Sequence, residues 1–96
     1  MNRQNVYSIS FTRTSKKQFN FLPGKIKKEI AKILEEELAY NPLLGKPLQG
    51  PLKGLRSQRV GVLRIIYKIV QDELVIIVIS LEHRKSVYRS HKLKKK

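Results

Sequence analysis

The sequence predicts a small α+β domain. An N-terminal strand and two helices precede a three-stranded antiparallel meander, and the helices pack on one face of the sheet. Three observations carry this prediction: residues 6–11 alternate between apolar and polar side chains, residues 25–40 have helical periodicity, and residues 55–81 contain strand-like apolar runs. A chain of 96 residues with 41% hydrophobic content can bury roughly 60 to 65% of its unfolded surface in one core.

The first strand and first helix follow from the N-terminal quarter of the chain. Apolar residues at every second position of residues 6–11 indicate a half-buried strand, which we place at an edge of the sheet. A threonine, either Thr12 or Thr14, can cap a short helix directly after it. Pro23 and Gly24 then end this helix before a second one begins.

The second helix, residues 25–40, is the clearest element in the sequence. Its lysines come early and its glutamates late, which is opposite to the charge order that the helix dipole favours. Packing of its apolar face must therefore stabilise it. The apolar residues follow i, i+4, i+7, i+8, i+12 spacing: Ile26, Ile30, Ile33, Leu34 and Leu38.

The rest of the chain predicts an ordered connection and the meander. Residues 41–54 are rich in Pro, Gly and Leu, and the leucines are expected to hold this loop against the core. Strands are predicted over residues 55–60, 62–70 and 74–81. The last strand is apolar on both faces, so it should be central in the sheet. The middle strand places Arg64 and Lys68 on the face opposite its inward set, Leu63, Ile65, Tyr67 and Ile69.

The charge balance predicts an anionic partner. The chain has 21 Lys and Arg against 7 Asp and Glu, a formal net charge of +14. A small domain is expected to carry such self-repulsion only when it binds a polyanion, and nucleic acid is the predicted class. Residues 38–71 contain no acid at all, which concentrates the positive field there. Its cations are Lys46, Lys53, Arg56, Arg59, Arg64 and Lys68.

Composition also limits the cellular compartment that we expect and the types of catalytic site that the chain can form. The absence of cysteine excludes a disulfide framework and thiolate sites, and there is no signal-like or membrane-length apolar run, so we expect a soluble cytoplasmic protein. The sequence has no Gly-rich phosphate loop and no His pair at metal spacing, so we expect no metal and no cofactor. Acid–base chemistry by Arg, His and Tyr remains. RNA cleavage can proceed in this way because the attacking nucleophile is the RNA's own 2′-hydroxyl.

Two motifs make a family resemblance specific. The first, GLRxxRVGxxRxxY, begins at Gly54, and the second, HRxxVY, begins at His83. Together with the preceding strand and helices they resemble the RelE/ParE superfamily of bacterial and archaeal toxins over nearly the whole chain. The resemblance implies one RelE-like domain over residues 1–88 and a basic tail over residues 89–96.

The resemblance also implies a function and partners. RelE-type toxins of type II toxin–antitoxin modules cleave messenger RNA in the ribosomal A site, leave a cyclic phosphate, and are neutralised by a cognate antitoxin in a hetero-oligomer. ParE-type toxins instead poison DNA gyrase. A non-catalytic RNA-binding relative is the third reading.

The site residues are carried over by position. Arg59 matches the second of two basic residues in a strand, and Arg64 matches the arginine that stabilises the phosphorane. Arg84 matches the arginine linked to protonation of the leaving group, and Tyr88 matches the tyrosine that stacks on or orients a base. The alternatives are an ion pair between Arg64 and Glu82, and a packing role for Tyr88.

This sequence departs from the family pattern at Ser57, where RelE proteins carry a lysine that can act as general base. Arginine stays protonated and cannot fill this role. His83 can be neutral at pH 7, so it is the predicted general base. Five further cations are predicted as RNA phosphate contacts: Lys53, Arg56, Lys85, Arg89 and Lys92.

Overall fold

The computed structural model of the chain describes residues 6–83. Its helices are α1 (Arg13–Asn20) and α2 (Gly24–Lys32), and α2 continues as a π-helical segment (Ile33–Leu38). Its strands are β1 (Ser8–Phe11), β2 (Lys46–Pro47), β3 (Arg56–Val60), β4 (Leu63–Val70) and β5 (Val75–His83). Within this part of the chain, no helix is long and apolar enough to cross a membrane.

The strands form one mixed sheet in the order β1-β5-β4-β3-β2. Strands β2 to β5 pair antiparallel, as the meander prediction requires. Strand β5, predicted to be central, is an interior strand between β1 and β4, and the middle strand of the five is β4. The N-terminal strand lies at one edge, as predicted, and pairs parallel with β5. Strand β2, at the other edge, was not predicted, because a two-residue strand containing Pro47 has no readable periodicity.

Helix α1 is fixed to β5 through its N-terminus and one side chain. Thr12 is the N-cap and forms a capping box with Ser15, which selects Thr12 over Thr14. The buried Ser15 hydroxyl also donates to the Val78 carbonyl at 2.7 Å. Further along, the Leu81 amide donates to Gln18 Oε1 at 2.7 Å. These bonds satisfy backbone groups of β5 and place α1 beside it.

The core lies between α2, with its π-helical continuation, and one face of the sheet. The predicted helical stripe is confirmed: Ile30, Leu34 and Leu38 are buried against the strands. The end of the predicted helix is π-helical, and the Ala39 amide donates to the Leu34 carbonyl at 2.9 Å. On the sheet side the buried members of the core are Ile65, Tyr67, Ile76, Val78 and Leu81.

A buried tyrosine fixes the connection before β2. The Tyr67 hydroxyl donates to the Pro42 carbonyl at 2.6 Å and accepts from the Gly45 amide at 3.0 Å. Arg56 Nε donates to the Gly45 carbonyl at 2.9 Å, and its Nη2 donates to the Leu43 carbonyl at 3.3 Å. Both polar groups of Gly45 are therefore held by side chains. The prediction that the leucines hold this connection against the core is wrong for Leu43, Leu44 and Leu52, which are exposed, because hydrogen bonds from Tyr67 and Arg56 hold it instead.

We expect Gly45→Ala to destabilise the fold. A Cβ at residue 45 would lie 2.6 Å from the Tyr67 hydroxyl and 2.8 Å from the Ser57 carbonyl. Overpacking of this kind costs about 1–3 kcal/mol, and urea denaturation measures the free energy of unfolding. Gly24→Ala is the matched control, because a Cβ there has nothing within 4 Å. Equal stability of the two variants would contradict the role given to Gly45.

Burial raises the pKa of the Tyr67 phenol, because desolvation disfavours the phenolate. The unfolded chain ionises this group near pH 10 and the folded chain only at higher pH. The stability that Tyr67 contributes is thus complete below about pH 10 and is lost as the pH rises through its folded pKa.

Tyr67→Phe tests this linkage. At pH 7.5 the variant should be less stable by about 1–3 kcal/mol, because the Gly45 amide and the Pro42 carbonyl lose their partner. The stability difference between the two proteins should be constant below about pH 10 and shrink as the pH is raised further. Lysine side chains also titrate in this pH range, but both proteins contain the same lysines. Their effect on the free energy of unfolding therefore cancels when the two proteins are compared. A difference that does not change with pH would contradict the linkage.

Candidate functional site

One face of the sheet lies opposite the helix-packed core, and we call it the open face. Arg59 of β3 lies directly opposite Arg64 of β4, and Ser57 lies opposite Ile66. Directly opposed residues of antiparallel strands project to the same side. Lys46 of β2 lies opposite Ser57, so it belongs to this face as well.

The open face contains a groove of about 530 Å³, which we call the basic groove. Three cations line it, and the described residues that line it include no Asp or Glu. Arg59 and Lys46 are exposed, and Arg64 is half-buried. The lining residues that matter here are Lys46, Arg59, Arg64, Ser57, Leu44 and Leu48.

The two arginines of the basic groove are available to a ligand. Arg64 also lies opposite Glu82 of β5, which is the ion pair considered as an alternative. The Glu82 carboxylate instead accepts a hydrogen bond of 2.7 Å from the Ser80 hydroxyl. Among residues 6–83, neither Arg59 nor Arg64 has a side-chain hydrogen bond or an ion-pair partner. Their guanidinium donors therefore remain for an anion.

A second groove, of about 420 Å³, adjoins the first at Arg64 and Leu48. We call it the apolar groove, because aliphatic side chains from β4, β5 and the connection form much of its wall. It brings an apolar surface beside a cationic one. Its aliphatic members are Leu48, Leu52, Leu55, Ile66 and Ile79.

His83 is the last residue of β5, is exposed, and lies directly opposite Leu63. Leu63 packs against the core, so the register assigns His83 to the helix-packed face and its neighbour Glu82 to the open face. The described residues therefore bring Arg59 and Arg64 together and place His83 across the sheet from them.

Arg56 has a structural role that differs from the predicted phosphate contact. It lies opposite Tyr67 on the helix-packed face, and its guanidinium binds the Gly45 and Leu43 carbonyls. Period-two alternation explains the difference, because residues 56 and 57 of one strand must face opposite sides. Lys53 is exposed in the connection and does not line the basic groove.

Five predicted site residues lie outside the described residues. They are the predicted catalytic residues Arg84 and Tyr88 and the predicted RNA contacts Lys85, Arg89 and Lys92.

Lys46 lines the basic groove but was not among the predicted site residues. One feature of the sequence pointed to Lys46, namely its position within residues 38–71, which contain no acidic residue. Its alignment with Ser57 depends on β2, which sequence periodicity cannot detect.

Comparison with known proteins decides the family. The family model described as the ParE toxin of the type II toxin–antitoxin system parDE matches residues 8–88. The chain belongs to the RelE/ParE superfamily of type II toxins. It is 31% identical to toxin RelG of Mycobacterium tuberculosis over 84 residues, covering 86% of this chain and 97% of RelG. It is 32% identical to toxin RelE of the same organism over 90 residues, covering 93% of each.

A solved structure confirms the RelE-like fold. The toxin–antitoxin complex RelBE2 from M. tuberculosis contains a chain that superposes on this toxin with a TM-score of 0.77 at 30% identity. The match covers 82% of this chain and 99% of that chain. The α+β fold predicted from the sequence is thus confirmed by the sheet and by this relative.

Proposed function

We propose that this toxin is a RelE-type endoribonuclease that cleaves messenger RNA in the ribosomal A site and thereby inhibits translation. The observation that carries the proposal is the Arg59 and Arg64 pair. The two residues lie directly opposite each other on the open face, and no described residue binds their guanidinium groups. The sequence relatives named RelE and RelG support the nuclease branch of the superfamily.

The proposed chemistry uses no metal ion. The 2′-hydroxyl of the RNA attacks the adjacent phosphorus, a base takes the hydroxyl proton, and an acid protonates the departing 5′-oxygen, which leaves a 2′,3′-cyclic phosphate. Negative charge builds on the phosphorane oxygens during the attack. Arginine is suited to stabilise it, because the planar guanidinium stays charged and donates two parallel hydrogen bonds to phosphate.

The two grooves suit different parts of a nucleotide. The basic groove offers cations for the phosphate, and the adjoining apolar groove offers aliphatic surface for a nucleobase or ribose. Arg64 lines both grooves, so a phosphate bound to it has the adjacent nucleoside within reach of Ile66 and Leu48. We keep Arg84 and Tyr88 in their proposed roles of leaving-group partner and base-orienting residue.

The general base is assigned to His83 or to Glu82. His83 has the more suitable acid–base chemistry at pH 7, and its position at the end of β5 lets its side chain approach from the end of the sheet. Glu82 is the residue that the register favours, because it lies opposite Arg64 on the open face. The two assignments make opposite predictions for their glutamine variants.

An acidic antitoxin is the proposed partner. The net charge of +14 and the open cationic groove favour binding to a chain of negative charge. The M. tuberculosis relative was solved as a toxin–antitoxin complex. We expect a toxin–antitoxin hetero-oligomer that forms in competition with the ribosome.

Cleavage of A-site messenger RNA by the purified toxin on purified ribosomes tests the proposal. Arg59→Ala and Arg64→Ala should each lower the single-turnover cleavage rate by about 10²-fold or more, because each removes a preorganised donor to the phosphorane. Lys68→Ala is the control, since it removes a cation that is exposed on β4 but absent from both grooves. Inhibition of DNA gyrase without RNA cleavage would contradict the proposal and support the ParE-type function.

His83→Gln and Glu82→Gln separate the two bases in the same assay. The sequence-based assignment predicts that His83→Gln abolishes cleavage while the variant still binds ribosomes, and that Glu82→Gln cleaves at close to the wild-type rate. Loss of cleavage in Glu82→Gln with a near-native rate in His83→Gln would instead identify Glu82 as the general base. Near-native rates for both variants would contradict both assignments.

A further inference from the structure

Strand β2 places Lys46 beside Ser57, the residue at which this toxin lacks the lysine of the RelE pattern. Lys46 lies directly opposite Ser57, on the open face, and lines the same groove as Arg59 and Arg64. Ser57 itself lines this groove. An amine from the neighbouring strand is thus available where residue 57 itself supplies none.

The sheet geometry brings the three cations within reach of one phosphate. Directly opposed residues have Cβ atoms about 4.5–5.5 Å apart, which applies to Lys46 with Ser57 and to Arg59 with Arg64. Ser57 and Arg59 are two residues apart along β3, a rise of roughly 6.7 Å. The long, flexible stems of Lys and Arg span such separations, so their charged ends can converge on a single anion.

We propose that Lys46 is a substrate-binding residue that contacts the RNA phosphate held by Arg59 and Arg64. The proposal deepens the nuclease function proposed above and rests on it. It assigns Lys46 a charged role in place of the missing lysine at residue 57. The lining of the basic groove favours this role, because three cations without an acidic neighbour in the described lining attract an anion.

The backbone before Lys46 is fixed, which makes its side chain a defined part of the site. The adjacent residue, Gly45, donates its amide to the buried Tyr67 hydroxyl and accepts a hydrogen bond from Arg56. A cation on a fixed backbone loses less conformational entropy on binding than one on a free loop. The backbone that positions Lys46 is therefore already fixed before a phosphate binds.

Two measurements test the proposal. The first is single-turnover cleavage on ribosomes, and the second is the affinity for a single-stranded RNA oligonucleotide, measured by fluorescence anisotropy at several salt concentrations. Lys46→Ala should weaken RNA affinity and slow cleavage by about tenfold or more, as expected for loss of a charge-assisted hydrogen bond. The slope of log affinity against log salt should fall by about 0.7, the value for one phosphate contact on a single strand. Lys68→Ala is again the control.

Two further variants make the test specific for a cation at this place. Lys46→Arg keeps the charge and should retain most of the affinity and cleavage. The double variant with Lys46→Ser and Ser57→Lys moves the amine to the opposite strand and should recover most of what Lys46→Ala loses. Recovery would show that the position in the groove, and not the fold of β2, explains the loss.

Several outcomes would overturn the proposal. Equal behaviour of Lys46→Ala and Lys68→Ala would exclude a specific contact. Normal RNA affinity combined with loss of cleavage in both Lys46→Ala and Lys46→Arg would indicate proton transfer and contradict phosphate binding. If the wild-type toxin cleaves no RNA, the nuclease function fails, whereas the anisotropy measurement still tests the phosphate contact of Lys46.

Discussion

The hydroxyl of Tyr67 determines the geometry of the open face from the other side of the sheet. Buried in the core, it binds Pro42 and Gly45 and so fixes the connection that leads into β2. Because β2 has only two residues, its ladder with β3 is short, and the Tyr67 hydrogen bonds add a second attachment beside it. The anchor therefore sets the register that puts Lys46 opposite Ser57, and with it the third cation of the basic groove. The Tyr67 hydroxyl, which both donates and accepts a hydrogen bond, thus contributes to the stability of the fold and to the arrangement of the proposed site.

The open face carries an electrostatic repulsion that no residue of the described range 6–83 relieves through a hydrogen bond or ion pair to Arg59 or Arg64. Arg59 and Arg64 are like charges directly across a strand pair, an arrangement that destabilises a sheet. The acid nearest in register, Glu82, is hydrogen-bonded to Ser80. An anionic ligand would remove this repulsion on binding, so the binding of RNA phosphate or of an acidic antitoxin segment is favoured by the same charges. Under the proposed function, the same cationic surface would bind both the RNA substrate and the antitoxin.

Local patterns in the sequence predicted the parts of the fold that depend on local chemistry. The helical stripe of Ile30, Leu34 and Leu38 and the alternation around Arg64 were both readable, because each follows from the period of one element. The antiparallel pairing of the meander was also predicted, but three other features of the strand pairing were not. The parallel partner of β1, the two-residue β2 and the irregular register between Ile66 and Tyr67 depend on contacts between distant segments. For the same reason the sequence placed Arg59 and Arg64, but not Lys46, in the candidate site, and it grouped His83 with them although the register separates them.

In the proposed function, one RNA phosphate binds on the open face between β3 and β4. Its most direct test is a cryo-electron microscopy structure of the toxin on a ribosome whose A-site messenger has a 2′-deoxy sugar at the scissile nucleotide, which removes the attacking hydroxyl. We expect the scissile phosphate to lie within hydrogen-bond distance of the Arg59 and Arg64 guanidinium groups, on the side of the sheet away from α2. A phosphate bound on the helix-packed face, or one that contacts neither arginine, would contradict it.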